Sequence, residues 1–374
     1  MTRVIFAGGG TGGHLYPALA LADALRAEHP EMEPYFVGAQ RGVEARVLPQ
    51  RGAPHTLLPI EPIYRDRVWR NVRQVSAVTR TVAGLFRIFR QQKPALVVGT
   101  GGYASGPACA FALARGVPVA LQEQNSFPGA TTKMLSRWAR QVHLGFAEAE
   151  KHLKVGKNTR VYALGNPIQP PIPIARGEAR RTFGLNDGGT VLLVVGGSQG
   201  ARAVNQALLG AIDAIARGDY TRPAGLQILW ATGPAHIDGV RAHLAQHGEM
   251  EWVRPVGYIE NMPFALASAD VAISRAGAMG TAELLAWGIP SVLVPLPTAA
   301  ANHQVHNAEA LAAAGAAVSL LESEATPELL WSTLRAIIED DALRAEMAAR
   351  ARERARPDAA RAIARELMTL VTAP

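Results

Sequence analysis

The chain has 374 residues, of which 48% are hydrophobic and 18% are charged, with a formal net charge of +7 at pH 7. This composition is typical of globular domains and excludes a disordered chain, and at roughly 150 residues per domain the length favours two domains. The single cysteine, Cys109, excludes an internal disulfide and favours a reducing compartment. The basic excess favours an anionic partner: nucleic acid, a phosphorylated substrate or an acidic bilayer surface.

We expect neither a secretory signal nor a membrane span. Four apolar residues precede the first glycines, fewer than the roughly 7 to 15 of a secretory hydrophobic region. Residues 95–114 and 284–302 are uncharged, but glycines or prolines interrupt both stretches. The sequence predicts a soluble protein, or one attached to a membrane surface.

Short β-branched runs alternate with helical patterns along the chain, which predicts parallel sheets covered by helices. The predicted strands are residues 4–7, 35–38, 56–60, 96–99, 117–122, 142–144 and 161–164, then a strand opening residues 190–212, then 227–231, 252–256, 271–274, 291–294 and 316–320. Between the two series, the proline-dense "GNPIQPPIPI" at residues 165–174 is typical of a linker. The prediction is an α/β protein of two doubly wound domains facing across a cleft, with ligands at the carboxyl ends of the strands.

The first glycine loop, in "FAGGGTGGHLYP", matches G-x-G-x-x-G through Gly8, Gly10 and Gly13. A dinucleotide site also needs an acidic residue at the end of the second strand. Glu31 and Glu33 precede that strand and "GAQRGVE" follows it, so the residues disfavour NAD. The loop retains its capacity for anions, because glycine lets backbone amides approach them closely.

Two later loops have the same form. In "GGSQGARAVN" the hydroxyl of Ser198 suits a diphosphate, although the glycines could serve the turn alone. In "SRAGAMGTAELLAWGIP", residues 274–290, a strand meets a helix through small residues, and we expect Glu283 in the first turn of that helix. Its carboxylate is either a helix cap or an acceptor for both ribose hydroxyls of a nucleotide.

His14 ends the first loop and begins its helix. A helix N-terminus disfavours the cationic imidazole, so the ring is predicted to stay neutral and able to accept a proton. We interpret His14 as a general base, against the alternative of a structural histidine. There is no Ser-His-Asp order, no histidine or cysteine cluster with zinc spacing and no D-x-D motif, so metal-independent chemistry is favoured.

Seven motifs then occur in a recognisable order: "GGGTGGHLYPALALA", "GGYASGP", "QEQNSFPGATTK", "GNPI", "GGSQGARAVN", "SRAGAMGTAE" and "NHQVHNA". In order and spacing, over nearly the whole chain, they resemble the MurG family. These bacterial transferases move N-acetylglucosamine from UDP-N-acetylglucosamine onto lipid I, giving lipid II in peptidoglycan synthesis. The resemblance implies the GT-B fold, with an acceptor domain at residues 1–164 plus about 355–374 and a donor domain at 165–354. A final helix, at about 357–370, would return to the first domain.

The resemblance also implies site residues, inversion at the anomeric carbon and no cofactor. It matches His14 to the family's proposed base, and Tyr103 and Glu123 are candidates for the acceptor side. The implied donor contacts are Thr11, Gly12, Gly13, Asn125, Ser198, Gln199, Ile259, Ala278, Met279, Gly280, Thr281, Ala282, Glu283 and Gln304. Two positions depart from the family pattern, because Gln122 replaces a histidine and Gln169 replaces an arginine. We expect an arginine elsewhere to compensate for the second change.

The basic charge concentrates at residues 65–90, with seven arginines against the single acid Asp66. Apolar residues at positions 68, 72, 75, 82, 86 and 89 follow helical spacing there, and "KMLSRWAR" adds further cations and an indole. This density suits docking on the anionic cytoplasmic face of a bacterial membrane. The alternative is a solvated face over a core-facing helix, with Phe86 and Phe89 in the core. The candidate docking residues are Trp69, Arg70, Arg73, Arg80, Arg87, Arg137 and Trp138.

Two other functions remain open from sequence. One is a different UDP-sugar enzyme on the same plan, such as an epimerase or a glycolipid transferase. The other is a nucleic-acid-binding protein, which is disfavoured because the arginines lack interleaved stacking aromatics or a recognised binding motif. We therefore expect no nucleic-acid partner.

Overall fold

The computed structural model describes residues 2–61, 75–197 and 200–371. The chain divides into two compact units. The first takes in Met1–Gln169 and Arg356–Pro374, and the second takes in Pro170–Ala355.

A parallel sheet of seven strands forms the centre of the first unit, in the order β3-β2-β1-β4-β5-β6-β7. Its strands are β1 (Thr2–Ala7), β2 (Met32–Ala39), β3 (His55–Leu58), β4 (Leu96–Gly99), β5 (Val119–Glu123), β6 (Gln141–Leu144) and β7 (Arg160–Tyr162). The connecting helices are α1 (Gly12–Glu28), α2 (Glu44–Gln50), α3 (Val75–Gln92), α4 (Gly102–Ala114) and α5 (Ala130–Leu135). β1 and β4 are neighbours although the chain leaves them in opposite directions, so the topological switch point lies between them.

Helices cover this sheet on both faces. α3, α4 and α5 pack on one face, where Leu85, Ala108 and Leu135 share a core with Ile5 and Val97. α1 packs on the other face. The central strands β4 and β5 are buried throughout, as the continuous apolar runs of a parallel sheet require.

The second unit repeats this plan with a parallel sheet of six strands, in the order β10-β9-β8-β11-β12-β13. Its strands are β8 (Val191–Val195), β9 (Gln227–Ala231), β10 (Val253–Val256), β11 (Val271–Ser274), β12 (Ser291–Leu293) and β13 (Ala317–Ser319). Its helices are α6 (Arg176–Thr182), α7 (Arg202–Arg217), α8 (Ile237–Leu244), α9 (Met262–Ser268), α10 (Ala278–Trp287), α11 (His303–Ala313), α12 (Pro327–Glu339) and α13 (Asp341–Arg354). Here β8 and β11 are the neighbours that define the switch point.

The last helix, α14 (Ala359–Val371), returns to the first unit. Ile363 and Leu367 share a core with Leu15 on α1. Arg361 and Arg365 donate to the two carboxylate oxygens of Glu28 over 2.8 and 3.0 Å, and these hydrogen bonds lower the pKa of the Glu28 carboxyl. The C-terminal segment is therefore part of the first unit's structure.

Each predicted strand is present, and the prediction of two doubly wound parallel sheets is confirmed. Strand ends differ from the predicted ones by a few residues; β2, for example, begins at Met32, three residues early. Within the described ranges, every helix is too short or too polar to span a bilayer.

Candidate active site

The candidate site of the first unit lies where β1 and β4 end. α1 begins at Gly12, with Thr11 as its N-cap residue. Thr11 Oγ1 lies 3.0 Å from His14 Nδ1, and Thr100 Oγ1 donates to the backbone oxygen of His14 over 2.7 Å. The half-buried His14 is thereby fixed at the switch point, the edge at which doubly wound sheets bind ligands.

Glycines surround the His14 imidazole. A β-carbon on Gly101 would lie 2.8 Å from His14 Cδ2, and one on Gly102 would lie 3.0 Å from Nδ1. Their φ angles of 95° and 73° are also ones that side chains rarely adopt. A β-carbon on Gly10 would lie 2.6 Å from Cε1 of Tyr103. The loops after β1 and β4 approach each other this closely because both lack side chains, and the contact brings Tyr103 to the same edge as His14.

A buried carboxylate fills the inner side of the first glycine loop. Glu44 is 0% exposed and accepts hydrogen bonds from the N–H groups of Gly10 (2.9 Å to Oε2) and Ala39 (2.8 Å to Oε1). A β-carbon on Gly9 would lie 2.2 Å from Oε1, and one on Gly42 would lie 2.1 Å from Oε2. The loop thus holds an anion, as its glycines predict, but the anion belongs to the protein. This gives the physical reason why a dinucleotide fingerprint occurs here without a dinucleotide site.

The third loop of the first unit follows β5. Glu123 is 3% exposed, and its carboxylate accepts from the N–H groups of Asn125 (3.1 Å) and Gly129 (3.0 Å). Gln124 Nε2 donates to the backbone oxygen of Thr100 over 2.8 Å. Glu123 therefore shapes the loop that carries Asn125, and Gln124 ties that loop to the one beside His14.

The two departures from the family pattern have different surroundings. Gln122 is buried; it donates to Asn166 Oδ1 over 3.3 Å and accepts from Gln124, while Asn166 Nδ2 donates to the backbone oxygen of Gln124 over 3.0 Å. An amide can take part in this network as donor and acceptor together. Gln169 is exposed and is the last residue of the first unit's long segment. The compensating arginine stays a prediction.

The matching loop of the second unit joins β8 to α7. Its predicted contacts Ser198 and Gln199 lie outside the described residues. Gly200 has a φ of 76°, and a β-carbon there would lie 2.1 Å from the backbone oxygen of Thr232. Among the residues that the structure describes, no carboxylate accepts a hydrogen bond from Gly196, Gly197 or Gly200. This loop differs in that respect from the one beside Glu44.

α10 begins beside that loop, on the other side of the β8/β11 switch point, with Gly277 as its N-cap residue. Its first turn carries Ala278, Met279, Gly280 and Thr281, and its second carries Ala282 and Glu283. The expectation that Glu283 lies in the first turn was wrong, because the helix begins five residues before it. It therefore cannot cap the helix, and burial raises the pKa of its carboxyl.

The other predicted donor contacts also follow strands of the second sheet. Gln304, on α11, accepts from the N–H of Leu296 over 3.0 Å, which ties the helix to the loop after β12. Asn307, one turn later, donates to the backbone oxygen of Ala276 over 3.0 Å. Ile259 follows β10 and is 3% exposed. These residues share the carboxyl edge of the sheet, where the doubly wound fold predicts a ligand.

The arginine-rich helix α3 has an apolar stripe on its exposed side. Val78, Val82 and Phe86 are 58%, 50% and 52% exposed and lie four residues apart, on one face. The assignment of Phe86 to the core was therefore wrong, whereas that of Phe89, 7% exposed, is confirmed. The register of the helix explains both results, because Leu85 and Ile88 flank Phe89 on the buried face.

Further exposed apolar and cationic side chains lie on α5, in the turn that follows it and at the C-terminal end of α4. Met134 and Trp138 are 56% and 55% exposed, and the guanidinium of Arg137 lies 5.0 Å from the Trp138 ring. Arg115 lies 5.6 Å from the Phe86 ring. Trp69, Arg70 and Arg73 lie outside the described residues. We call the described set the basic apolar surface: Val78, Arg80, Val82, Phe86, Arg87, Met134, Arg137 and Trp138.

Several buried or half-buried polar residues that support the site are not among those predicted from the sequence. They are Glu44, Thr100, Gln124, Arg275 and Asn307. Arg275 donates to the backbone oxygen of Val294 over 3.0 Å and pairs with Glu322. Glu44 could have been found, since it stands in the "GAQRGVE" segment where the acidic partner of a glycine loop was sought. The others carry no local signal, because their bonding partners come from distant parts of the chain.

Comparison with known proteins supports the same family in both units. Residues 4–144 match the glycosyltransferase family 28 N-terminal domain, and residues 191–363 match the glycosyltransferase family 28 C-terminal domain. The UDP-N-acetylglucosamine--N-acetylmuramyl-(pentapeptide) pyrophosphoryl-undecaprenol N-acetylglucosamine transferase of Moorella thermoacetica is 40% identical, over 99% of both chains. The protein of the same name from Carboxydothermus hydrogenoformans is 38% identical, over 96% of this chain and 95% of the relative.

Solved structures share the fold to different degrees. The crystal structure of Acinetobacter baumannii MurG matches with a TM-score of 0.78 and 28% identity, over 99% of this chain and 100% of that one. A UDP-GlcNAc 2-epimerase from Neisseria meningitidis matches with a TM-score of 0.66 and 16% identity, over 98% and 99%. The second similarity shows the fold alone. Because the sequence relatives match over nearly their full length and family 28 matches in both units, the chain belongs to the MurG family of glycosyltransferases.

Proposed function

We propose that this chain transfers N-acetylglucosamine from UDP-N-acetylglucosamine to the 4-hydroxyl of N-acetylmuramic acid in lipid I, giving lipid II for peptidoglycan synthesis. The names of the relatives state this type of transfer. The observation that carries the proposal to this chain's own residues is the position of His14, held between glycine loops at the β1/β4 switch point. The first unit would bind the acceptor and the second the donor.

His14 would act as the general base. In the tautomer whose Nδ1–H donates to Thr11 Oγ1, 3.0 Å away, the ring would keep a lone pair on Nε2. The general base must be the neutral imidazole, and the position of His14 at the N-terminus of α1 suits that form. Nε2 takes the proton of the acceptor hydroxyl as its oxygen attacks the anomeric carbon. The bond to UDP breaks with its electron pair, and a single displacement of this kind inverts the anomeric carbon.

The second unit would stabilise the departing diphosphate. The start of α7 and the start of α10 flank the β8/β11 switch point, so that two helix N-termini lie at one edge of the sheet. Helix N-termini bind anions, and fixed backbone dipoles stabilise charge that develops on a leaving group. Glu283 and Gln304 would bind the nucleoside, with the Glu283 carboxylate accepting from the ribose hydroxyls. No step requires a cofactor, so we expect transfer to persist in EDTA.

The direct test is incubation with labelled UDP-N-acetylglucosamine and a lipid I analogue. We expect labelled disaccharide lipid and UDP in equal amounts, with the β-anomer formed. Epimerisation of the nucleotide sugar without an acceptor would replace this proposal with the epimerase alternative. Salt-sensitive oligonucleotide binding without any transfer would favour the nucleic-acid alternative.

We also propose that the basic apolar surface docks the enzyme on the cytoplasmic face of the bacterial membrane, where its lipid-linked acceptor would lie. Exposed Phe86 and Trp138 offer apolar area for the interface, and Arg80, Arg87 and Arg137 offer charge. Each arginine near an anionic surface contributes about 1 kcal/mol. The combination of an apolar stripe with flanking arginines suits a peripheral attachment.

Sedimentation with lipid vesicles tests this docking. We expect binding to vesicles containing phosphatidylglycerol to exceed binding to pure phosphatidylcholine, and to weaken by about 10-fold or more on reversing Arg80 and Arg87 to Glu. Arg26→Glu is the matched control, since Arg26 is an exposed arginine on α1, on the other face of the sheet. Binding that ignores both lipid charge and the double reversal would refute the proposal.

A further inference from the structure

Three metal-ligating side chains of the second unit converge away from the site described above. Asp213 lies on α7, His243 near the end of α8 and His247 in the single turn that follows. Asp213 Oδ1 lies 2.8 Å from His243 Nε2 and 2.6 Å from His247 Nε2. One ligand atom from each residue lies within 4.8 Å of the other two. All three are half-buried, with side-chain exposures of 22%, 34% and 23%.

We propose that Asp213, His243 and His247 form a zinc site. Two imidazoles and one carboxylate are a ligand set that Zn²⁺ commonly takes, with a water molecule in the fourth position. Magnesium and calcium are disfavoured, because these hard cations bind oxygen ligands and not imidazole. The three ligands do not form a local sequence motif, because the carboxylate is 30 residues before the first histidine. The fold supplies the third ligand.

The geometry needs only small side-chain movements to accept the ion. Zinc bonds to imidazole nitrogen and carboxylate oxygen of about 2.0–2.2 Å place tetrahedral ligands about 3.4 Å apart. The present separations of 2.8 and 2.6 Å from Asp213 Oδ1 would therefore open by somewhat under 1 Å. Asp213 Oδ1 already faces both Nε2 atoms, and each Nε2 would exchange its proton for the metal.

The location indicates a structural role. Asp213 is 11 residues beyond the start of α7 at Arg202, which is about 16 Å along a helix at 1.5 Å per residue. The glycine loop lies at the other end of that helix. A zinc ion at Asp213 would link α7 to the segment after α8 without reaching the carboxyl edge of the sheet. We therefore expect it to stabilise the second unit and to leave the transfer chemistry unchanged.

Metal titration of the untagged full-length chain tests the proposal. After removal of bound metals with a chelator, Co²⁺ should give the intense visible bands of a low-coordinate site, and one equivalent of Zn²⁺ should abolish them. Cys109 offers little competition, because it is buried and its pKa is raised to about 12 by desolvation. Zn²⁺ should also raise the melting temperature, since a ligand that binds only the native state stabilises it, whereas Mg²⁺ should not.

Single variants His243→Gln, His247→Gln and Asp213→Asn should each weaken zinc binding by about 10-fold or more, since loss of even a residue that only orients a metal ligand typically costs that much. His236→Gln is the matched control, because His236 precedes the same helix at its opposite end. Half-buried positions tolerate such changes, and circular dichroism checks that each variant is folded. Absence of a one-to-one zinc complex in the parent chain, or equal binding by all four variants, would overturn the proposal. Equal stabilisation by Mg²⁺ would overturn the choice of zinc.

Discussion

The glycine loops that open the two units have the same local plan, but a carboxylate of the chain is bonded to the first loop and not to the described glycines of the second. Both follow a buried first strand, both precede a helix and both lie beside a switch point. In the first unit the carboxylate of Glu44 accepts from Gly10 and Ala39. In the second, within the described residues, no carboxylate is bonded to the loop glycines. A glycine loop therefore indicates an anion, and only the surrounding fold tells whether that anion is part of the protein.

This difference suggests a division of labour. An internal carboxylate makes the first loop rigid without any ligand, which suits a loop that positions a base. Under the proposed function, the helix N-terminus that follows the second loop would bind the diphosphate. The first loop would then serve proton removal and the second the departure of UDP, so that each step can be disturbed separately.

The largest effect is expected at the base. His14→Ala should lower turnover by about 100-fold or more, the usual scale for loss of a general base, with the affinity for UDP-N-acetylglucosamine little changed. Steady-state kinetics combined with a direct donor-binding measurement separate the two quantities. His29→Ala, at the other end of α1, is the control. Near-normal turnover of His14→Ala would remove His14 from this role.

The second largest effect is expected at Glu44, the carboxylate bonded to the first glycine loop. Glu44→Gln keeps the shape of the side chain but replaces one acceptor oxygen with an NH₂ donor that faces backbone N–H groups. The buried group left without a partner costs about 1–3 kcal/mol. We expect a melting temperature lower by about 5 °C and a kcat lower by about 10-fold or more through misplacement of His14, with an unchanged KM for the donor. Glu31→Gln, at an exposed position of the same unit, should change neither. A raised donor KM with a normal kcat would contradict the division between the loops.

Much of this architecture can be predicted from the sequence, and each of the features that could not be predicted has a physical reason. Apolar periodicity gave the strands, because parallel strands are buried on both faces. The motifs gave the family and the edge of each sheet that carries the candidate site. Helix registers were less accessible: Phe86 and Phe89 lie three residues apart, yet only Phe89 is buried. Glu44 escaped notice as a loop anion because its partners, Gly10 and Ala39, meet it only after β1 and β2 pair.

A smaller effect is expected in the second loop, where a substitution should change the KM for the donor more than kcat. Gly200→Ala places a methyl group 2.1 Å from the backbone oxygen of Thr232 at a φ of 76°, so the loop must shift. We expect the KM for UDP-N-acetylglucosamine to rise about 5-fold, about 1 kcal/mol of lost binding, with a smaller change in kcat. Gly239→Ala on α8, where nothing lies within 4 Å of the added carbon, should leave the donor KM unchanged. A selective loss of kcat in Gly200→Ala would show that this loop, too, positions reacting groups.

The smallest effect concerns Glu283, the ionisable residue proposed to bind the ribose. Burial raises the pKa of its carboxyl, so the folded state holds the proton more tightly than the unfolded chain does. The free energy of unfolding that protonation of this carboxyl contributes is therefore fully present below the pKa of the unfolded chain. It is lost as the pH rises through the pKa of the folded state. Glu283→Gln removes this dependence, because the amide does not ionise. The variant should therefore match the parent near pH 4, about the ordinary glutamate value, and melt about 2 °C higher near pH 7. Melting curves measured across this pH range check the sign of the difference between the two chains. If the parent instead gained stability relative to Glu283→Gln as the pH rose, a cation and not burial would control the pKa of the Glu283 carboxyl.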